Sequence, residues 1–328
     1  MYKATLDHLQ RSGQQSTDEF ARIADLLADF SLKHRNFDQA IKYRERALAA
    51  QIAVHGRMST NAALALRNLA AIYREKSQQA IATELNKQSL EIYEKLNGPE
   101  SFEVGQQCLI TGITCREDGK EKDALSYLER SLNIQNKLHG ANSWEVAHDL
   151  VELAYTNLSF KNDLAAERCA RQSLKIQANF PPAERYLWGN SWVMLAQSLS
   201  NQGKFQEAYL AGEKGLSYLR EQASREKDTA PLVYALSCLL QIDRQSGNFI
   251  KAKNHAKERL ELVKEKYGQG FETGQAWFDL GDSAARAADE QLAVLSLTNA
   301  EVIFESSGNP DRAKVARDLL IRVSKPRK

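Results

Sequence analysis

The sequence predicts an all-α protein, a right-handed superhelical solenoid of about seven helix-turn-helix repeats plus a C-terminal capping helix. Three observations predict this fold. Helix-favouring residues dominate the composition, glycine (17) and proline (6) are few for 328 residues, and small and large apolar residues recur at a fixed spacing. Because glycine and proline are the residues that most often form turns and interrupt helices, their scarcity favours long helices over short strands joined by turns.

A repeat of 42 residues runs along most of the chain. Alanine marks one position of the frame and leucine another, eight residues later, and both recur in step. The frame continues with a slip of two residues at Ala252 and a slip of one in the other direction at Ala293. The members of the two series are Ala40, Ala82, Ala124, Ala166 and Ala208, and Leu48, Leu90, Leu132, Leu174 and Leu216.

Each repeat is interpreted as two helices. Leu66, Leu69 and Ala70 in the first segment, and Ala82 and Leu85 in the second, follow the spacing of a single buried helical face. A helix pair of this size cannot bury its apolar face alone, so neighbouring repeats must stack on one another. The alanine and leucine series are therefore assigned to packing and given no functional role.

Hydroxyl residues recur in the same frame, just before the first helix of four repeats. Their side chains are placed to accept hydrogen bonds from free N–H groups of the first helical turn. In the first repeat a capping box formed by Ser16 and Glu19 is the alternative. The four predicted caps are Thr17, Ser59, Ser101 and Ser143.

The order of small and large positions resembles tetratricopeptide repeats, whose usual period is about 34 residues. The longer period resembles the kinesin light chain type, carried by the segments 66–73, 97–104 and 131–140. The resemblance covers residues 16–308, preceded by a lead-in segment (1–15) and followed by a capping helix and basic tail (309–328). No long heptad run is readable, so a similar array is expected and not the motor subunit itself.

The net charge, the apolar runs and the cysteines indicate which classes of binding partner and which cellular location the sequence favours. Lys and Arg (44) nearly balance Asp and Glu (42), a net charge of +2 that argues against a strongly cationic binder of nucleic acid or membranes. No apolar run is long enough for a membrane span, and the N-terminus lacks the apolar core of a signal peptide. Four cysteines without Cys-x-x-Cys spacing are interpreted as buried free thiols, which favours a cytoplasmic location.

Motifs for catalysis, nucleotides or metals are not readable in the sequence. His55 and His139 share one repeat position and are interpreted as structural. His148 and Glu152 lie one helical turn apart, a spacing that is common on exposed helix faces. We therefore expect a non-catalytic protein without cofactor or metal.

The family resemblance implies a concave groove lined by the first helices. Polar side chains in such a groove can bind an extended peptide or a partner protein. Arg67, Arg74 and Arg116 would make its middle positive and favour an acidic partner, although Glu75 and Glu117 adjoin two of them. The candidate groove residues are Arg67, Asn68, Arg74, Arg116, Glu152, Tyr155, Asn190, Gln197 and Arg244.

Two hypotheses for function remain open. The first is a protein-binding scaffold or adaptor, and the second is a regulatory sensor whose array changes shape when a small peptide or effector binds. Other surfaces carry structural interpretations: Phe102 and Trp144 are expected to staple helix entries, and the tryptophans at 188, 192 and 277 to lie in the core. The segment 180–182 (Phe-Pro-Pro) is expected to stiffen or redirect its junction.

Overall fold

The computed structural model describes residues 2–181 and 188–325 of the protein. Within these ranges the chain forms sixteen α-helices and no strand, which confirms the prediction of an all-α helical repeat array. Two compact units divide the chain, Met1–Lys161 and Asn162–Lys328. Residue Pro182 lies outside the described ranges, so stiffening of that junction stays a prediction.

The first unit contains a leading helix, three helix pairs and one further first helix. In the pairs a first helix of 16 residues precedes a second helix of 19 residues, which together with two short turns accounts for the long repeat. The helices are α1 (Tyr2–Arg11), α2 (Asp18–Lys33), α3 (Phe37–His55), α4 (Thr60–Glu75), α5 (Gln79–Asn97), α6 (Phe102–Glu117), α7 (Glu121–His139) and α8 (Trp144–Ser159).

The second unit begins with a second helix, continues with three pairs and ends with one helix. Here α11 has 22 residues, and this extension accounts for the two-residue slip of the alanine frame after Ala208. The helices are α9 (Asp163–Gln177), α10 (Gly189–Asn201), α11 (Phe205–Glu226), α12 (Ala230–Gln245), α13 (Phe249–Tyr267), α14 (Phe271–Arg286), α15 (Glu290–Ser306) and α16 (Pro310–Val323).

The alanine series lies in the core, since all five alanines from Ala40 to Ala208 are fully buried. Leu90 and Leu216 are buried as well, whereas Leu48, Leu132 and Leu174 are half-buried. The small side chains at the alanine positions let the two helices of a repeat approach closely. The packing role predicted for the series is confirmed.

Hydroxyl caps begin four first helices as predicted. Thr17 Oγ1 accepts from the N–H of Phe20, and Ser59, Ser101 and Ser143 each accept from the N–H three residues later. Because Thr17 is the cap of α2, the alternative capping box of Ser16 and Glu19 is wrong.

Both ends of the described chain are covered by a single helix. The lead-in segment contains α1, whose buried Leu6 and Leu9 pack in one cluster with Phe20 and Ala24 of α2. This helix is not predicted by the repeat, since the segment lies outside the frame. At the other end α16 buries Ala313 and Ala316 in one cluster with Ala300 and Phe304 of α15, so α16 caps the last repeat. The tail from 326 lies outside the described residues.

Aromatic side chains largely follow the interpretation given above. Trp188 is buried, whereas Trp192 and Trp277 are half-buried. Phe102 is exposed at the first residue of α6, and its ring lies 6.1 Å from that of His139. This contact with the end of the following helix, α7, supports a role in fixing the helix entry.

Candidate functional site

All nine candidate residues lie on first helices. In the first unit α6 and α8 contact each other, as α10 and α12 do in the second unit, so side chains on one first helix reach the next. We call the side chains of Arg67, Asn68, Arg74, Arg116, Glu152 and Tyr155 the first-helix face of the first unit. The other three candidates, Asn190, Gln197 and Arg244, lie on first helices of the second unit.

Arg116 is the centre of a compact cluster between α6 and α8. Its Nη1 lies 2.9 Å from Glu152 Oε2 and 3.3 Å from Thr156 Oγ1. Its guanidinium carbon lies 4.2 Å from the ring centroid of Tyr155. The Arg116 side chain is only 7% exposed. The three candidates Arg116, Glu152 and Tyr155 therefore lie in contact. Arg116 makes both its ion pair and its cation–π contact with residues of the same chain.

Arg74 also has an acidic partner within the chain. Its Nε lies 3.1 Å from Glu117 Oε2, and the Arg74 side chain stays about half exposed. The sequence suggested Glu75 and Glu117 as the neighbours of Arg74 and Arg116, respectively. The structure instead pairs each arginine with a glutamate of the following first helix, because stacking brings successive first helices side by side.

Arg67 and Asn68 complete the face on α4. Both are half-buried, and neither side chain makes a hydrogen bond or ion pair with the residues that the structure describes. The positions that match Asn68 in the next two first helices hold Ile110, which is half-buried, and Glu152. The face thus offers unpaired donors at α4 and a mixed apolar and acidic surface beyond it.

The second unit repeats the arginine arrangement. Arg244, in the last turn of α12, donates from Nη2 to the carbonyl oxygen of Asp279 at 2.7 Å and from Nε to Ser283 Oγ at 3.2 Å. Its Nη2 also lies 3.2 Å from Asp282 Oδ2. Asn190 is exposed, and Gln197 donates to Asn201 Oδ1 at 2.8 Å.

His148 and Glu152 lie on one face of α8, as their spacing predicts. The Asp149 carboxylate, whose Oδ1 lies 3.8 Å from His148 Nδ1, raises the pKa of His148; burial lowers it in part, and the charge of Glu152 adds to the rise. Asp149 is buried, and its Oδ2 accepts from Ser131 Oγ at 2.7 Å. His148 thus belongs to the acidic edge of the Arg116 cluster.

Sequence reasoning missed the partners of the arginines, namely Thr156, Asp279, Asp282 and Ser283. The signal is a separation of 35 to 40 residues between an arginine at the end of one first helix and an acidic or hydroxyl residue in the next. Such a separation becomes readable only after the repeat is aligned to its helices.

Three of the four cysteines, Cys108, Cys115 and Cys238, are buried as predicted, whereas Cys169 is half-buried. Burial raises the pKa of Cys108 and of Cys115 to about 11 and that of Cys238 to about 12. All four cysteines are free of disulfides. These three thiols stay protonated at neutral pH and behave as small apolar side chains.

Within residues 2–181 and 188–325, no group of three or more His, Cys, Asp or Glu side chains is arranged to hold a metal ion. Over the same part of the chain, no helix combines the length and the apolar character that crossing a bilayer requires.

The stacked helix pairs define an α-helical repeat protein. A sequence model of the tetratricopeptide repeat family matches residues 19–95, which lie within α2 to α5. This match shows tetratricopeptide repeats in that part of the chain, and the helices of 16 and 19 residues fit the 42-residue period predicted from the sequence. No curated protein matches the chain by sequence.

Three solved structures are similar to this chain. BtubC (BKLC) from P. vanneervenii has a TM-score of 0.56 at 17% identity, over 67% of this chain and 89% of that chain. Aspartyl phosphate phosphatase F from Bacillus subtilis has a TM-score of 0.63 at 14% identity, over 97% and 74%. The Rap conjugation gene regulator of plasmid pLS20, in complex with the Phr* peptide, has 0.54 at 18%, over 93% and 75%. At these identities the similarity concerns the fold.

Proposed function

We propose that the protein is a non-catalytic scaffold that binds a peptide segment of a partner protein along the first-helix face. The observation that carries the proposal is the contrast on this face. Arg116 and Glu152 hold two first helices together, whereas Arg67 and Asn68 keep half-buried donors with no partner among the described residues. The similarity to a peptide-bound repeat protein supports a peptide as ligand.

The candidate residues divide into two roles in this proposal. Arg67, Asn68, Arg74 and Tyr155 contact the ligand, while Arg116 and Glu152 position the surface. In the second unit Asn190 and Gln197 are contacts and Arg244 is a positioning residue. The division follows pairing, since a side chain already engaged in several hydrogen bonds has little left to offer a ligand.

An acidic residue of the ligand is proposed to lie against Arg67. Arg74 and Arg116 are paired with Glu117 and Glu152, so among the described residues Arg67 is the arginine of this face without an acidic partner. A guanidinium binds a carboxylate through two parallel hydrogen bonds. The interaction is proposed to occur in the cytoplasm, where the four free cysteines stay reduced.

Panning a library of random peptides on the purified protein tests the proposal. We expect selected peptides to be rich in Asp and Glu and to lose at least about tenfold in affinity when Arg67→Glu or Asn68→Ala is introduced. Arg57→Glu, an exposed arginine of the same unit, is the matched control and should leave binding unchanged. Peptides that bind all three variants equally would remove the first-helix face as the site.

A regulatory sensor is the second candidate, because a structurally similar gene regulator is described in complex with a peptide. Small-angle scattering of the protein with and without a selected peptide distinguishes the two. A change in the radius of gyration on binding favours the sensor, and unchanged dimensions favour the static scaffold.

A further inference from the structure

The outward positions of the second helices follow a pattern that one helix breaks. The positions two, five and nine residues after the repeated alanine are polar or small in most second helices, where water covers them. In α15 they hold Leu295, Thr298 and Val302. The six other second helices hold Lys42, Glu45 and Ala49; Glu84, Lys87 and Glu91; Ser126, Glu129 and Asn133; Arg168, Arg171 and Lys175; Leu210, Glu213 and Ser217; Asn254, Lys257 and Glu261.

The apolar side chains of α15 are open to solvent. Leu295 is 56% exposed and Val302 is 58% exposed, and Val294 beside them is also exposed. Single exposed apolar residues are normal on a protein surface. A stripe with the spacing i, i+3, i+7 is different, because its members form one continuous helical face that usually packs against another element.

The stripe continues onto α16. A groove of about 680 Å³ runs between the start of α15 and the end of α16, and Val294, Leu295 and Val323 line it. On α16 the residues Val315, Leu319 and Val323 share one face by their spacing of four. Val315 is 47% exposed. The α15–α16 hairpin therefore presents two apolar stripes, which we call the hairpin face.

Charge differs between the two helices of the hairpin. α15 carries three acidic residues (Glu290, Glu301 and Glu305) and no basic one. α16 carries four basic and two acidic residues. Arg317 bridges Glu301 and Glu305 within the chain, which leaves the other cations of α16 exposed, namely Arg312, Lys314 and Arg322.

We propose that the hairpin face is the contact between two copies of this chain, with α15 of each copy antiparallel to α16 of the other. A two-fold axis along the hairpin joins the apolar stripes and places α15 against α16 of the second copy. Even with Glu301 and Glu305 bridged to Arg317, α15 keeps an excess of negative charge and the rest of α16 an excess of positive charge. Such a contact is isologous and closes at two copies. A partner with a face of one sign would not match both helices, whereas a second copy matches them both.

The size of the face fits a weak but specific dimer. A helix of 17 residues is about 25 Å long, and two adjacent helices are about 20 Å wide. Each copy thus offers roughly 500 Å², or roughly 1,000 Å² in total, at the lower end of specific interfaces. A micromolar dissociation constant is expected for such a contact.

Sedimentation of the full chain between about 1 and 100 µM tests the proposal. The wild type should convert from monomer to dimer over this range. Leu295→Glu combined with Val302→Glu should weaken the dimer at least about 100-fold, because four charges would enter an apolar contact. Both positions are exposed within one chain, so the helical circular dichroism should not change.

Leu210→Glu is the matched control, since Leu210 occupies the same position of α11 and is 61% exposed. This variant should dimerise like the wild type. Arg312→Glu with Lys314→Glu should weaken the dimer about tenfold at low salt and less at high salt. A wild type that is monomeric throughout, or a Leu295/Val302 variant that still dimerises, overturns the proposal.

Discussion

Arg116 and Glu152 join the last turn of α6 to the middle of α8 through a hydrogen bond of 2.9 Å between Nη1 and Oε2. The arginine is almost completely buried, and its guanidinium also covers the Tyr155 ring. The pair therefore sets how two successive first helices meet and where the aromatic ring points. Arg116, a candidate ligand contact from the sequence, therefore holds two first helices together in the structure.

Arg116→Ala is expected to lower the free energy of unfolding by about 2–3 kcal/mol, because Glu152 would lose its partner in a partly buried position. Arg74→Ala should cost less than about 1 kcal/mol, since its ion pair with Glu117 is half exposed. Urea unfolding followed by circular dichroism measures both.

The two variants control for each other, because they remove the same side chain from matching positions of α4 and α6. Equal losses in both would show that burial does not distinguish the two pairs. In that case the stability data would give no reason to treat Arg116 as a positioning residue instead of a ligand contact.

Glu167 provides a prediction on pH. Burial raises the pKa of its carboxyl group, but hydrogen bonds from Gln202, Arg171 and Lys204 outweigh that effect and lower the pKa to about 2. The contacts have distances of 2.8, 2.8 and 3.1 Å. A lowered pKa gives stability that is complete above the ordinary value of 4.5 and is lost as the pH falls towards 2.

Glu167→Gln should therefore cost about 2 kcal/mol at neutral pH and progressively less between pH 4.5 and 2, where the wild-type carboxylate itself becomes protonated. Thermal unfolding at a series of pH values measures the difference. Glu129→Gln, at an exposed position of α7, should show no comparable trend. A pH-independent cost at position 167 would mean that shape, and not charge, makes Glu167 important.

Much of the fold could be predicted because its determinants lie within one repeat. The caps at Ser59, Ser101 and Ser143 depend on contacts three residues away, and the buried alanines recur at one position of the frame, so spacing alone reveals both. The pairing of Arg116 with Glu152 depends on how two repeats stack, and α1 lies outside the frame altogether. The candidate residues lie on first helices, as the repeat frame predicts, but which of their side chains remain unpaired is decided by contacts between repeats.

Ser131 and Ser89 occupy the same small position of two second helices, yet their contacts differ. Each hydroxyl lies within hydrogen-bond distance of a carbonyl oxygen in its own repeat. Ser131 Oγ also lies 2.7 Å from the buried Asp149 Oδ2. Ser131→Ala should therefore cost about 2–3 kcal/mol, against about 1 kcal/mol for Ser89→Ala, because a buried carboxylate would lose a donor.

Chemical denaturation of the two alanine variants under identical conditions measures this difference. Asp149→Asn in the Ser131→Ala background should recover part of the loss, since a neutral amide is less costly to bury than a carboxylate. Equal costs for the two serines would show that Asp149 is satisfied without Ser131.

Gly112 of α6 and Leu128 of α7 form a complementary small and large pair. A Cβ atom at Gly112 would lie 2.7 Å from Leu128 Cγ and 3.1 Å from the carbonyl oxygen of Ala124. The last repeat uses the same combination in Gly281 and Leu297, again at 2.7 Å. At the matching position of the α10–α11 pair, the first helix has Ala196 and the second has Gly212, whose Cβ position lies 3.5 Å from Ala196 Cβ. In each of these repeats, the combined size of the two facing side chains thus allows the two helices to approach closely.

Gly112→Ala should lower the free energy of unfolding by about 1–2 kcal/mol, although alanine is favoured over glycine in a helix by about 1 kcal/mol. In a Leu128→Ala background, which itself costs about 2–5 kcal/mol, the same substitution should be stabilising by up to about 1 kcal/mol, because the clash is gone and the methyl group fills part of the cavity. The double-mutant cycle isolates this reversal of sign. If Gly112→Ala has the same effect in both backgrounds, the close approach of α6 and α7 does not depend on the pair, and the small positions of the frame reflect helix propensity alone.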